Sequence, residues 1–293
     1  MGSAGRVVSD SMIGLRLPDY ARCSACVITV LGQNPGPFTG PGTNTYLVGS
    51  GKRRLLLDAG QGVPAYGDLL EKTLRELGAG AVIDAIILTH AHIDHIGGVS
   101  QVRARFGQAE VRKMPWPEND RVAGVAITRL DDGAVIEVEG ARLRAIHTPG
   151  HSPDHLCYYL EAEQALFSGD VVLGAGTAVI PDDSGDLAQY MESLRKLLRL
   201  DLKTIYPGHG PVVRNPHEKI RQYIEHRELR EKQILGALGD GPRTVAEIVK
   251  LIYTDVPESL HLAAASSVRA HLKKLKYERI ALEREDDGRW SLR

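Results

Sequence analysis

The sequence predicts a four-layer α/β sandwich followed by a small domain of helices closed by a hairpin. Three observations predict it. Strand and helix patterns alternate over residues 27–106 and give way to a run of short strands up to residue 147. Several apolar runs end in a turn that carries a histidine or an acid. A break at Gly239-Asp240-Gly241-Pro242 is followed by two helical patterns and an alternating stretch on either side of Asp287-Gly288.

Taken in order, Val27 to Leu31 and Thr45 to Val48 read as strands, joined by a loop dense in Gly and Pro over residues 33–42. Leu55-Leu56-Leu57 is a buried strand ending at Asp58, an acid that is costly there unless partnered. Tyr66, Leu69, Leu70, Leu74 and Leu77 recur at helical spacing. Ala85 to Leu88 is an apolar run too short for a helix, and Gly97-Gly98 precedes a helix over Val99 to Phe106. Short strands follow at Glu110 to Lys113, Val125 to Leu130, Val135 to Val138 and Leu143 to His147. Leu187, Tyr190, Met191, Leu194, Leu197 and Leu198 mark an amphipathic helix.

Composition bounds the class. A chain of 293 residues, 43% hydrophobic and 25% charged, suits one large domain and a small one. A net charge of −1 gives no global field for nucleic acid, so any such binding needs a local patch. No apolar run is long enough to span a membrane. Met1 to Asp10 has neither a signal-peptide core nor the Arg-rich character of a transit peptide, although Arg6, Arg16 and Arg22 lie nearby. An intracellular site, cytoplasmic or mitochondrial matrix, is expected rather than secretion. Three cysteines make no disulfide framework. Cys23 and Cys26 read as two half-buried thiols beside a strand, and Cys157 as core.

The chemistry gathers behind the run ending at Leu88. His90, His92, Asp94 and His95 fall within six residues, on the loop where α/β folds place their sites. Neutral imidazole suits zinc, and a carboxylate completes an open catalytic site. An open site needs about three protein ligands, so four here with more downstream argue for two metals sharing a bridging water. The downstream turns supply His151 after Pro149-Gly150, Asp170 after Ala165 to Gly169, and His209 after Ile205 to Gly208.

Thr89-His90-Ala91-His92-Ile93-Asp94-His95 resembles the T-H-x-H-x-D-H signature of the metallo-β-lactamase superfamily, and Thr148-Pro149-Gly150-His151 resembles its T-P-G-H motif. The resemblance implies an αββα sandwich with two zinc ions at one edge, Mn2+ or Fe2+ being possible substitutes. It assigns His90, His92 and His151 to one ion, Asp94, His95 and His209 to the other, and Asp170 as the bridge. It gives Asp58 a supporting role behind the ligand loop. Antibiotic-hydrolysing members generally lack the bridging Asp, which argues against β-lactamase activity. His147 falls outside the pattern and reads as structural. His155 reads either as a proton donor facing the cleft or as a partnered core histidine, the latter slightly favoured.

The expected division is a metallo-hydrolase catalytic domain over 1–238, including a connecting helix over about 215–238, and a winged-helix-like domain over 239–293. Thr244-Val245-Ala246-Glu247 is a capping box, Leu260 to Leu275 carries helical spacing, and Ile280, Leu282, Trp290 and Leu292 alternate about a turn. Arg269, Lys273, Lys274 and Lys276 are candidate phosphate contacts, set against an acidic hairpin with Glu283, Glu285, Asp286 and Asp287. The whole chain is similar to the lactamase-beta-like branch, which includes an endoribonuclease acting on single-stranded RNA. Fungal polyketide thioesterases resemble it too, whereas glyoxalase II ends in a different helical domain. The leading expectation is a two-zinc endoribonuclease in which metal-bound hydroxide attacks single-stranded RNA and Asp94 also orients the nucleophile. The alternative is an acyl thioesterase using the same site, and a non-catalytic binding module is the third reading.

Overall fold

The structure, a computed structural model, describes residue 12 and residues 14–78, 80–254 and 261–293. The N-terminal stretch 1–11 and Leu260, the expected start of a late helix, lie outside the described residues. The chain divides into two compact units. The larger takes the described residues up to His147, then Asp154–Ala178 and Asp201–Pro216. The smaller takes Thr148–Pro153, Val179–Leu200 and the described residues from His217 onward.

In the larger unit, β1 (Tyr20–Arg22), β2 (Val27–Leu31), β3 (Asn44–Val48), β4 (Arg53–Leu57), β5 (Val82–Ile87), β6 (Glu110–Lys113) and β7 (Thr128–Arg129) form one sheet in sequence order. Pairing is antiparallel from β1 to β4 and parallel from β4 to β7. The parallel steps need crossovers. Helix α1 (Pro64–Glu76) joins β4 to β5, α2 (Ile93–Ile96) and α3 (Val99–Phe106) join β5 to β6, and α4 (Pro117–Asp120) lies between β6 and β7. A second sheet has β8 (Val135–Val138), β9 (Ala141–His147), β10 (Leu156–Leu160), β11 (Ala165–Gly169) and β12 (Thr204–Pro207) in spatial order, with β11 and β12 parallel.

Alternation of side chains sorts the apolar runs into two cores. Tyr46, Val48, Leu55, Leu57, Ala85 and Ile87 of the first sheet share a cluster with Leu143, Leu156, Tyr158, Leu160, Phe167 and Tyr206 of the second. Leu47, Leu56 and Ile86 point the other way and pack with Tyr66, Leu70 and Leu74 of α1 and Val99 and Val102 of α3. Sheets covered on both faces need near-continuous apolar strands, which is why these runs show no polar face.

Three local readings change. Only Thr128–Arg129 of the expected strand at 125–130 pairs with β6, because Val125 and Ile127 turn into the helix-side core. Leu156–Leu160 is an additional strand, buried at every residue. The ligand loop itself contains a helical turn, α2, which carries Asp94 and His95.

The smaller unit holds α5 (Leu187–Leu197), α6 (Pro216–Gly239), α7 (Val245–Ile252), α8 (His261–Tyr277) and the hairpin β13 (Ala281–Glu283) with β14 (Trp290–Leu292). Thr244 caps α7 reciprocally with Glu247, as the capping-box sequence predicts. The connecting helix α6 groups with this unit rather than with the catalytic domain, because Ile234 and Leu238 enter a core with Ile248, Val249, Val268, Leu272 and Trp290. Among the described residues no helix is long and apolar enough to cross a membrane.

Candidate metal centre

The parallel strands β4 and β5 end on one edge of the first sheet, and β11 and β12 end together in the second. Asp58 and His90 leave the first pair, Asp170 and His209 the second. Within the larger unit this brings two donor groups together: His90, His95 and Asp170, and Asp94, His95 and His209. In each group the candidate donor atoms lie within 4.8 Å of one another.

His95 is fully buried and its orientation is fixed by Asp58. Its Nδ1 lies 2.8 Å from Asp58 Oδ2. A carboxylate only accepts, so Nδ1 donates and Nε2 is left for the centre. That Nε2 is buried without a hydrogen-bond partner, 3.3 Å from Asp94 Oδ2 and 3.4 Å from Asp170 Oδ1. Asp58 also accepts from the Thr89 amide at 2.7 Å and from Thr89 Oγ1 at 2.9 Å, so one carboxylate orients both His95 and the start of the ligand loop. It adopts φ 59°, a left-handed conformation that Asp tolerates better than most residues.

His209 is held in the same manner, its Nδ1 donating to the Gly42 carbonyl at 3.4 Å. Its Nε2 lies 3.1 Å from Asp94 Oδ2 and 3.4 Å from Asp170 Oδ1. His90 Nε2 and His92 Nδ1 converge to 2.9 Å, a separation at which two imidazole nitrogens share a proton or face a common cation. His151 stands in the smaller unit, buried, with Nδ1 donating to the Val179 carbonyl at 2.7 Å. Gly208 lies against the carboxylate; a Cβ there would be 2.4 Å from Asp170 Oδ1.

Electrostatics favour a cation. Burial alone would push the His95 imidazole down, but the carboxylates of Asp94, Asp58 and Asp170 outweigh it and hold it well above the usual histidine range. Burial opposes His209 likewise, and Asp170 and Asp94 carry it up to about 9. Against their own burial, Asp94 is lowered by His95 and His209, and Asp170 by His209 and His95. Protons on these imidazoles offset the carboxylates, and divalent cations would displace them. Imidazole and carboxylate donors, a buried Nε2 without a partner and fixed Nδ1 partners together fit a two-metal centre.

Sequence reasoning misses the supports in the Gly- and Pro-rich loop and at the two residues that follow it. Asn34 Oδ1 accepts from the Thr43 amide at 2.9 Å, and Thr43 Oγ1 donates to Asp94 Oδ2 at 3.0 Å. Asn44 Nδ2 donates to the Pro207 and Gly210 carbonyls on either side of His209. Of the two readings of His155, the partnered core histidine fits the geometry and the proton donor does not: it is fully buried, and its Nε2 accepts the Asp170 amide at 3.1 Å.

The candidate phosphate contacts on α8 are engaged. Arg269 pairs with Asp182 at 2.5 Å and Lys273 donates to the Asp182 carbonyl. Lys274 pairs with Glu231 and Glu278, and Lys276 with Glu283.

Residues 38–209 match the family model for the metallo-beta-lactamase superfamily, and residues 244–290 that for the beta-lactamase associated winged helix domain. A beta-lactamase-like protein 2 homolog of Caenorhabditis elegans is 40% identical, covering 87% of this chain and 85% of its own. An atrochrysone carboxyl ACP thioesterase of Aspergillus fumigatus is 38% identical, covering 88% and 81%. A metallo-beta-lactamase family protein from Thermus thermophilus superimposes with a TM-score of 0.74 at 25% identity, covering 91% and 98%. A protein solved in a di-iron-bound form is 30% identical over 65% of this chain and 96% of its own, with a TM-score of 0.50. The expected αββα sandwich and winged helix fit these matches, and these two relatives carry a lactamase-like and a thioesterase name. The chain belongs to the metallo-beta-lactamase superfamily, is a metal-dependent hydrolase, and ends in the winged helix domain associated with that fold.

Proposed function

We propose that the chain hydrolyses acyl thioesters, releasing a carboxylic acid and a thiol, with the acyl group presented on a carrier such as an acyl carrier protein. The observation that carries this reading is the match to a carboxyl ACP thioesterase along 88% of the chain. The expected RNA substrate has less support, because the four basic residues meant to hold phosphates already face Asp182, Glu231, Glu278 and Glu283.

In this reading His90 and His92, with His151 as the family motif implies, would hold one cation and Asp94, His95 and His209 the other, with Asp170 available to both. Such a pair supplies a nucleophile from water near neutral pH and Lewis-acid polarisation of the scissile carbonyl. The protein's part is orientation. Asp58 and the Gly42 carbonyl direct the Nε2 atoms of His95 and His209 inward. Thr43 steadies Asp94, whose carboxylate would also orient the water.

The test is a substrate panel with metal-reconstituted protein, reading thiol release from acyl-carrier and small acyl thioesters beside cleavage of single-stranded RNA. Metal-dependent thiol release that is abolished by chelation or by His92→Ala is expected. Cleaved RNA with every thioester left intact would reverse the assignment.

A further inference from the structure

Lys113 closes β6 on the edge where the parallel strands end, and its side chain has no exposed surface. Its ammonium lies 2.5 Å from Asp154 Oδ2, 2.8 Å from Asp120 Oδ1 and 2.5 Å from the Met114 carbonyl. Asp154 is itself 1% exposed. A buried ion pair is a weak source of stability, because both charges give up water to form it. What this pair does fix is position.

Asp154 opens a segment that crosses between the two sheets at the metal edge. The Leu156 amide donates to the Thr89 carbonyl at 2.8 Å, one residue before His90. Between them, His155 Nε2 accepts the Asp170 amide at 3.1 Å. Gly169 has φ 46°, and a Cβ there would lie 2.5 Å from His155 Nε2, so the Gly169–Asp170 peptide rests on that imidazole. The ligands are divided in the same way. His90, His92, Asp94 and His95 follow β5 in the first sheet, whereas Asp170 and His209 follow β11 and β12 in the second. Two cations shared across that divide require a fixed separation of the edges.

We propose that Lys113 is a positioning residue. Its ion pair with Asp154 anchors His155 to the first sheet, and His155 sets the backbone of Asp170, the carboxylate that bridges the metals. The inference rests on the two-metal reading of the centre and is independent of the acyl substrate.

Stepwise metal affinities by chelator competition, with absorption and EPR spectra of the dicobalt protein, test it. Asp154→Asn keeps the shape and leaves Lys113 its Asp120 and Met114 partners. It is expected to bind the first ion much as the parent does, to bind the second about 10–100-fold more weakly, and to shift the dicobalt spectrum. Lys113→Met is expected to shift it further. Unfolding of the metal-free proteins, followed alongside, separates loss of geometry from loss of fold, and Asp154→Asn decides where Lys113→Met does not fold. A parent that binds fewer than two ions overturns the two-metal reading itself. A two-ion parent whose folded variants keep its affinities and spectrum overturns the role of Lys113.

Discussion

Asp58→Asn removes one charge while keeping shape and backbone. Asn accepts the φ of 59° found here, so little backbone strain is added, whereas Ala would confound the result with it. The Asp58 carboxylate accepts from three donors, the Thr89 amide at 2.7 Å, Thr89 Oγ1 at 2.9 and 3.2 Å, and His95 Nδ1 at 2.8 Å. An amide has only one oxygen. With that oxygen toward Thr89, its NH2 meets His95 Nδ1, which must then give up its proton, and the neutral ring carries it on Nε2, the atom needed for metal. With the amide reversed, NH2 meets the Thr89 N–H. At 1% exposure water rescues neither arrangement. One hydrogen bond to a charged group is worth about 1.5–3 kcal/mol. At 1.4 kcal/mol per decade this predicts a roughly 10–100-fold loss of metal affinity, the range of other outer partners of metal ligands. Chelator competition on the folded variant measures it. A dissociation constant equal to the parent's would refute the claim that Asp58 orients His95, and would leave it a turn-capping residue.

Other perturbations follow from the same geometry. Asp170→Ala removes the proposed bridge, so bound metal by elemental analysis is expected to fall below two per chain and the rate with it; two ions retained would remove Asp170 from the centre. Thr43→Val deletes the donor to Asp94 Oδ2 without changing shape and weakens metal binding by about tenfold, at the low end for such partners; competition titration shows an unchanged constant if Thr43 is incidental. His209, raised from 6.5 to about 9, stabilises the metal-free fold fully below about pH 6.5, and that contribution, on the order of 3 kcal/mol, is lost as pH rises through 9. Metal-free protein therefore melts lower at pH 9 than at pH 6.5, and the metal-loaded protein lacks this particular decline; equal slopes would contradict it. Thr244→Ala costs about 1 kcal/mol in the helix-rich smaller unit by loss of the α7 cap, read by denaturant unfolding.

How much of this is legible in the sequence depends on whether the determinant is local. The ligand turns are legible because each needs an apolar strand and a donor within a few residues, as in Ile205 to His209. The capping box at Thr244 is equally local. The central strand of the second sheet is hidden because Leu156 to Leu160 is buried on both faces and shows no alternation. Supports are hidden for another reason. Thr43 and Asp94 are 51 positions apart, and Lys113 and Asp154 are 41 apart, so their partnership exists only once the sheets stack. A lysine closing a four-residue strand carries no mark of being wholly buried. The basic run on α8 reads as a phosphate-binding face until the fold supplies its carboxylate neighbours.

Reaction type and substrate are set by different atoms. The donors fix what can be done to an electrophile, and they serve a carbonyl or a phosphorus alike. Discrimination falls to side chains beside the donors that take no part in holding metal. One of these is apolar and exposed: Ile93, between His92 and Asp94, is 52% exposed. A phosphodiester backbone gains nothing from an aliphatic surface. An acyl chain laid over it gains roughly 25 cal/mol for each Å² of apolar area removed from water. Exposed single hydrophobes are ordinary elsewhere on a surface. Within the ligand motif itself, where His90 and His95 are wholly buried, an open isoleucine is a contact that the acyl substrate proposed above would use.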